Sequence, residues 1–277
     1  MSETKIPLAG VIGTPIAHSK SPLLHRHWLD TYALPGFYIP MDVAPQDLEG
    51  VLRTLPQMGF VGVNVTIPHK ELALRIADQV TDRATLIGAA NTLTFGKDGK
   101  IHADNTDGYG FIENLKAGAP DWQPDAGPAA VLGAGGAARA IIVALLDAGV
   151  PEIVLSNRTR ARADKLQSDF GNRVMVVDWV QAGNILEGCA LVVNTSSLGM
   201  VGQPEMRLPL EGLKPETVVT DLVYTPLKTR LLEAAEEKGC TTVDGLGMLL
   251  HQGVPGFERW FGRRPEVTTE TRQAVLA

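Results

Sequence analysis

The sequence predicts an α/β protein of two domains. Three observations carry the prediction. Short β-branched runs alternate with helical stretches along the chain. A stretch rich in Pro, Gly and Ala at 117–128, AGAPDWQPDAGP, parts two such series. Several strands of the second series are apolar almost throughout, as in a parallel sheet covered on both faces. The chain's 277 residues suffice for two medium domains with buried cores.

In the first series the expected strands are LAGVIG (8–13), FYIPMDV (37–43) and VGVNVTI (61–67). A hairpin follows in NTLTFGKDGKIHAD (91–104), with turn chemistry at Lys97-Asp98-Gly99. One helix opens at Ser21-Pro22, a cap residue followed by Pro, and another follows Pro45 and closes at Gly59. The second series expects strands at 128–133, 152–157, 173–178, 190–195, 218–223 and 241–245. Its helices are expected at Ala137–Ala148 and Lys228–Lys238. The tail from Leu246 is helical in pattern and can return to the first half. The expected division is therefore 1–116 with 247–277 as one discontinuous domain and 117–246 as the other, with a cleft between them as the default ligand site.

Composition narrows the class. A formal charge of −6, from 25 Lys+Arg against 31 Asp+Glu, argues against a general nucleic-acid binder. Cys189 and Cys240 build neither a disulfide framework nor a paired-Cys metal site, so no metal is expected and the setting reads as reducing and cytoplasmic. The start, with Glu3 and Lys5, does not read as a secretory leader. The apolar run AIIVALL (140–146), stopped by Asp147, is far too short to cross a bilayer.

GAGGAAR at 133–139 follows a strand and opens a helix. Gly133, Gly135 and Ala138 sit at the three positions of the G-x-G-x-x-G/A turn of Rossmann-like domains, with Ala134, Gly136 and Ala137 between them. Such a turn brings backbone N–H groups and a helix N-terminus to a pyrophosphate. The next strand ends in SNRTRAR (156–162) and carries no carboxylate for ribose hydroxyls. Asn157, Arg158, Thr159 and Arg162 instead offer donors suited to a 2′-phosphate, which favours NADP over NAD.

Four polar clusters mark the first half: HSKSP (18–22), NVTIPHK (64–70), AANT (89–92) and DNTDG (104–108). A single cluster reads as turn and capping chemistry, but four beside a nucleotide motif point to a site. With GAGGAAR, SNRTRAR, NTSSLGM (194–200), DLVYTPLKT (221–229) and GLGMLLHQ (245–252), they make the chain resemble the shikimate dehydrogenase family over nearly its whole length. The resemblance implies NADP-linked interconversion of 3-dehydroshikimate and shikimate in aromatic amino-acid biosynthesis. It implies that Ser19, Ser21, Thr66, Asn91, Asp107 and Gln252 hold the substrate, with Tyr224 beside it. Lys70 and Asp107 match the family's catalytic pair, and either could be the microscopic base. Leu222, Gly245 and Met248 fall where nicotinamide is expected, and Asp82 at a peripheral cofactor position. A quinate/shikimate dehydrogenase with broader substrate or NAD use is the close rival. A non-catalytic sensor of such ligands is the distant one. Homodimer and monomer are both compatible with the sequence. His25 and His27 are expected to pack in the core or lie at the surface rather than bind metal, His69 and His251 to orient neighbours or stand by, and Trp28, Trp122, Trp179 and Trp260 to pack locally.

Overall fold

Five consecutive buried residues, Ala9–Gly13, require the first strand to lie inside a sheet rather than at its edge. The computed structural model describes residues 6–277; Glu3 and Lys5, which entered the leader argument, lie outside the described residues. In chain order the first elements are β1 (Leu8–Gly13), α1 (Ser21–Thr31), β2 (Phe37–Asp42), α2 (Leu48–Thr54), β3 (Phe60–Val65) and α3 (Lys70–Ile76). They are followed by β4 (Gln79–Val80), α4 (Asp82–Ile87), β5 (Thr92–Phe95) and β6 (Ile101–Asp104). Then come α5 (Asp107–Gly118), β7 (Ala129–Leu132), α6 (Gly136–Ala148), β8 (Ile153–Asn157), α7 (Arg160–Phe170) and β9 (Val174–Asp178). The chain closes with β10 (Leu191–Asn194), β11 (Val218–Asp221), α8 (Arg230–Glu237), β12 (Thr241–Val243), α9 (Leu246–Phe261) and α10 (Thr269–Leu276). No helix among the described residues is long and apolar enough to cross a membrane.

Two compact units result. One comprises the described residues up to Thr106 with Leu249–Ala277; the other is Asp107–Met248. The first holds a mixed sheet in the order β2-β1-β3-β5-β6-β4, in which β5 pairs antiparallel with β3 and with β6. One face packs Ile12, Val63 and Leu93 against Leu48, Leu52 and Ala73. The other face packs Ala9, Val11 and Tyr38 against Trp260. The helix expected between Pro45 and Gly59 is interrupted by tight turns on either side of α2, the second one carrying Pro56, and Gly59 ends it at φ 92°.

The second unit holds an all-parallel sheet in the order β12-β11-β10-β7-β8-β9. Counted from β7 as its first strand, this is the 3-2-1-4-5-6 order of a doubly wound sheet, with its switch point between β7 and β10. Helices cover both faces. Phe111, Ile141, Leu145 and Leu166 lie on one, and Leu186, Leu231 and Ala235 on the other.

Two expectations change. The stretch 117–128 is no linker: α5 runs through Gly118, Ala119 is buried and Trp122 packs on the second unit's core. The physical reason is a close helix pair. A Cβ on Gly108 would meet Ala144 Cβ at 3.0 Å and the Ala140 carbonyl at 3.1 Å, so α5 belongs with α6. The chain passes from one unit to the other at Thr106/Asp107 and returns within α9 at Met248/Leu249. Trp28 and Trp260 also do more than pack locally. Their indole N–H groups donate to the Glu266 carbonyl (3.2 Å) and the Leu93 carbonyl (3.1 Å). A Cβ on Gly62 would collide with the Trp260 indole.

Asp104 fastens α9 to the first sheet. Its buried carboxylate accepts from Arg259 at 2.5 Å, from Arg83 at 3.0 Å and from the Thr81 hydroxyl at 2.8 Å. Burial alone would push its pKa up; the Arg259 and Arg83 guanidiniums and the Thr81 hydroxyl outweigh that and hold it at about 2. A depressed carboxylate stabilises the fold above its unfolded pKa, and the contribution is lost as pH falls through the folded value. Asp104→Ala should therefore cost about 2–3 kcal/mol at pH 7 and roughly half as much at pH 3. Urea unfolding at both pH values checks this; an equal cost at both would exclude an ionic origin.

Candidate functional site

In the first unit, polar side chains gather where β3, β5 and the Gln252 turn of α9 meet. Asn64 on β3 stands opposite Thr92 on β5 in the strand register. The buried Tyr38 phenol donates to Asn64 Oδ1 at 2.8 Å, and Asn64 Nδ2 donates to the Asn91 carbonyl (3.1 Å) and to Thr92 Oγ1 (3.2 Å). Asn91 Nδ2 donates to Thr106 Oγ1 (3.0 Å) and to Gln252 Oε1 (2.8 Å), while Asn91 Oδ1 accepts from the Thr106 backbone N–H (2.8 Å). Burial raises the pKa of the Tyr38 phenol well above its ordinary value, and the neighbouring Ser21 hydroxyl offsets that only in part.

The expected residues fall unevenly around this cluster. Asn91, Gln252 and Ser21 join it. Ser21 is not the helix cap expected from sequence. It is the first residue of α1 after Lys20, and its backbone N–H donates to Ser19 Oγ at 3.3 Å. Thr66 follows β3, and a Cβ on Gly13 would meet its methyl at 2.6 Å, so glycine there admits the Thr66 side chain. Lys70 opens α3, and its carbonyl accepts from Ala90 N–H at 2.9 Å, which ties it to the Asn91 segment. Asp82 stands exposed in the first turn of α4, outside the cluster. Asp107 directly follows Thr106 and opens α5 in the second unit. Of the side chains set aside, His25 is fully buried and stacks on Tyr38 with ring centroids 3.8 Å apart, and burial pushes its pKa down to about 3. His69 is buried against the Val43 carbonyl.

In the second unit the glycine loop leaves β7 at the switch point. Gly133 has φ 117°, and a Cβ there would meet Thr195 Oγ1 at 2.8 Å. Gly135 and Gly136 are different: a Cβ on either would have no heavy atom within 4 Å, and Gly135 has φ −93°. Neither neighbouring atoms nor, at Gly135, the backbone conformation calls for glycine, so the cradle has room for a group outside the protein. Asn157 shapes this cradle. Its Oδ1 accepts from Ala134 N–H (3.1 Å) and its Nδ2 donates to the Thr159 carbonyl (2.8 Å), so both its polar ends are engaged within the unit. Thr159 is the residue before α7, and Ala137 lies in the first turn of α6. Three arginines follow β8. Arg160 pairs with Asp164 (3.1 Å) and Asp178 (2.6 Å), whereas Arg158 and Arg162 are exposed and form no ion pair among the described residues. This donor set and the open cradle fit a dinucleotide carrying an extra phosphate.

The motifs that start at the ends of β10 and β11 also carry Asn194, Asp221 and Thr229, buried residues to which the sequence alone gives no role. Asp221 accepts from Asn194 Nδ2 (2.8 Å), Val223 N–H (2.9 Å) and Thr229 Oγ1 (2.7 Å). Asn194 Oδ1 in turn accepts from Ser196 N–H and Oγ. This network holds Leu222, whose N–H donates to the Asn194 carbonyl at 3.0 Å. A Cβ on Gly245 would collide with the Leu222 carbonyl, so the two segments touch through backbone. Met248 packs on the same unit's core, and Tyr224 is half-buried, which raises its pKa. Among the described residues no group of His, Cys, Asp and Glu could hold a metal ion.

Fold and site together define the class: a two-unit α/β oxidoreductase with a doubly wound, dinucleotide-type sheet. Family models match residues 11–93 (shikimate dehydrogenase substrate binding domain), 124–207 (shikimate / quinate 5-dehydrogenase) and 245–276 (shikimate 5′-dehydrogenase C-terminal domain). A Roseobacter denitrificans protein named shikimate dehydrogenase (NADP(+)) is 76% identical over 276 residues, covering 100% of both chains. The chain belongs to the shikimate dehydrogenase family. The Thermus thermophilus shikimate 5-dehydrogenase, solved with NADP(H) and shikimate, is 39% identical, with TM-score 0.87 over 98% of this chain and 99% of that one. The Corynebacterium glutamicum quinate dehydrogenase, solved with NAD, is 30% identical, with TM-score 0.90 over 97% and 98%.

Burial raises the Asp221 pKa to about 6, against the pull of its three neutral donors. A carboxyl with a raised folded pKa stabilises most below its unfolded pKa, and that stability is lost as pH rises through the folded value. This group alone should lower the unfolding free energy by about 3 kcal/mol between pH 3.5 and 7. Asp221→Asn should lack that decline, so its stability difference from wild type should change with pH by the same amount. Parallel urea titrations across this range check it; parallel pH profiles would refute it.

Proposed function

We propose that the chain is an NADP-dependent shikimate dehydrogenase that interconverts 3-dehydroshikimate + NADPH + H⁺ and shikimate + NADP⁺. One observation carries the reading. The chain that holds the amide- and hydroxyl-rich cluster around Asn91 also follows β8 with no carboxylate and with two arginines, Arg158 and Arg162, that form no ion pair among the described residues.

Backbone N–H groups of Gly133, Ala134, Gly135, Gly136 and Ala137 would hold the pyrophosphate at the N-terminus of α6. Arg158 and Arg162 would hold the 2′-phosphate, with Asn157 and Thr159 fixing the loop beside them. Leu222, Gly245 and Met248 would line the nicotinamide position, and Asp82 would touch the cofactor peripherally. When bound, NADP supplies the hydride acceptor. Ser19, Ser21, Thr66, Asn91, Asp107, Tyr224 and Gln252 would orient the polyhydroxylated acid. Lys70 and Asp107 would exchange the proton of the reacting hydroxyl oxygen, acting as a pair. The activity would belong to aromatic amino-acid biosynthesis, as the resemblance implies. Cys189 and Cys240, buried and free, fit a cytoplasmic place of work.

The test is a matrix of shikimate and quinate, each with NADP and NAD, followed at the NADPH absorbance band. Turnover should be greatest with shikimate and NADP; a preference for quinate with NAD would favour the rival dehydrogenase, and no turnover would favour a sensor. In the same assay Lys70→Ala should lower kcat by about 10²–10⁴, with a much smaller change in the shikimate KM. Near-normal kcat with weakened binding would make Lys70 a substrate anchor instead.

Cofactor choice has its own test. A charge-assisted hydrogen bond contributes about 1.5–3 kcal/mol. Arg158→Ala should therefore raise the NADP KM about tenfold or more and leave NAD use little changed. Equal loss with both cofactors would sink the 2′-phosphate assignment.

A further inference from the structure

We propose that Thr92 is a positioning residue for substrate. Its buried hydroxyl joins two halves of a hydrogen-bond chain whose direction is fixed, and that chain leaves the Gln252 NH₂ group as the one offered to ligand. The proposal rests on reading this cluster as the shikimate site.

The direction follows from backbone groups whose polarity cannot change. The Asn91 carbonyl only accepts, so the Asn64 atom 3.1 Å from it is Nδ2. Asn64 Oδ1 then faces Tyr38, whose phenol must donate across 2.8 Å. The Thr106 backbone N–H only donates, so the Asn91 atom 2.8 Å away is Oδ1. Asn91 Nδ2 therefore faces Gln252 at 2.8 Å and requires Oε1 there. The Thr106 hydroxyl accepts from Asn91 Nδ2 at 3.0 Å and lies within donating distance of two acceptors, the Gln252 carbonyl at 2.9 Å and Asn91 Oδ1 at 3.2 Å.

Thr92 is where the two halves meet. Its hydroxyl, 0% exposed, accepts from Asn64 Nδ2 at 3.2 Å and donates to Asn91 Oδ1 at 2.9 Å. Without it, a buried Asn64 N–H and an Asn91 lone pair lose their common partner, and the Asn91 amide loses one of the bonds that hold its orientation. With the chain intact, Gln252 Oε1 is engaged and Nε2 remains for ligand. A ligand oxygen that accepts, from a hydroxyl or a carboxylate, fits there. A ligand ammonium would meet N–H against N–H and be rejected.

Steady-state kinetics of the full chain with shikimate and NADP provide the test, using Thr92→Val, Thr92→Ser and Gln252→Glu. Thr92→Val keeps the shape and removes the hydroxyl. It should raise the shikimate KM about tenfold or more and keep the NADP KM within about twofold. Thr92→Ser restores the hydroxyl and should stay within about twofold of wild type on both. Gln252→Glu keeps the acceptor that Asn91 needs and replaces the offered donor by an acceptor; kcat/KM for shikimate should fall about tenfold or more. Gln252 is partly exposed, so this variant carries the test if Thr92→Val fails to fold. An unchanged shikimate KM in folded Thr92→Val overturns the proposal. So does a Thr92→Ser as impaired as the valine variant, or an unimpaired Gln252→Glu. A wild-type chain without shikimate turnover would overturn the functional reading and this proposal with it; the variant outcomes overturn only the proposal.

Discussion

The Asp104 carboxylate organises the first unit. It ends β6, accepts Arg259 from α9 and Arg83 from α4, and also accepts the Asn105 backbone N–H at 2.8 Å. One buried anion thus holds the returning helix and starts the turn that leads to Thr106. Gln252 precedes Arg259 by about two helical turns, so fastening α9 at Arg259 sets where Gln252 can reach. The Trp260 indole, laid over Gly62, prevents the same helix from rotating away. The polar cluster around Asn91 depends on both its walls being held in this way.

The second unit uses a buried carboxylate at the corresponding place, the end of a strand, with a different electrostatic outcome. Asp104 is paired with two cations and is held at about 2, while Asp221 meets only neutral donors and rises to about 6. Burial penalises the anion in both cases; only opposite charge reverses the sign. Asp104 therefore works as a charge clamp on a helix. Asp221 works as an acceptor that gathers Asn194, Thr229 and the Val223 N–H, keeping the two loops after β10 and β11 in register with each other.

Much of this was legible in the chain. The glycine loop, the apolar parallel strands, the 91–104 hairpin and the helical tail each carry a local pattern, and local patterns are what periodicity and turn chemistry report. The errors arose where composition and packing disagree. The stretch 117–128 reads as a linker because it is rich in Pro and Gly, yet Ala140 and Ala144 on α6 offer the flat face that Gly108 of α5 needs. Ser21 reads as a cap because Ser precedes Pro, yet it is the first residue of α1 and lies buried beside the Tyr38 phenol of β2. Asn64, Thr92 and Thr106 lie in the polar clusters at 64–70, 89–92 and 104–108 without a role of their own, and Tyr38 lies outside them, because their roles come from partners on other strands or turns and on the returning helix. No single segment carries the signal of a network built across a sheet.

The arginines after β8 illustrate how geometry discriminates between residues that sequence leaves equivalent. Arg158, Arg160 and Arg162 look alike in SNRTRAR, and all crowd the start of a helix, where the dipole disfavours positive charge. Arg160 is neutralised on both sides by Asp164 and Asp178. The remaining two have no such relief within the described residues, and the loop they flank is held to the glycine turn through Asn157. The same fold accommodates NAD in the quinate dehydrogenase of Corynebacterium glutamicum, so the sheet itself does not choose the cofactor. The choice has to lie in such side chains. An anion at this point would relieve two cations and complement the helix terminus together, which a bare ribose hydroxyl could not do.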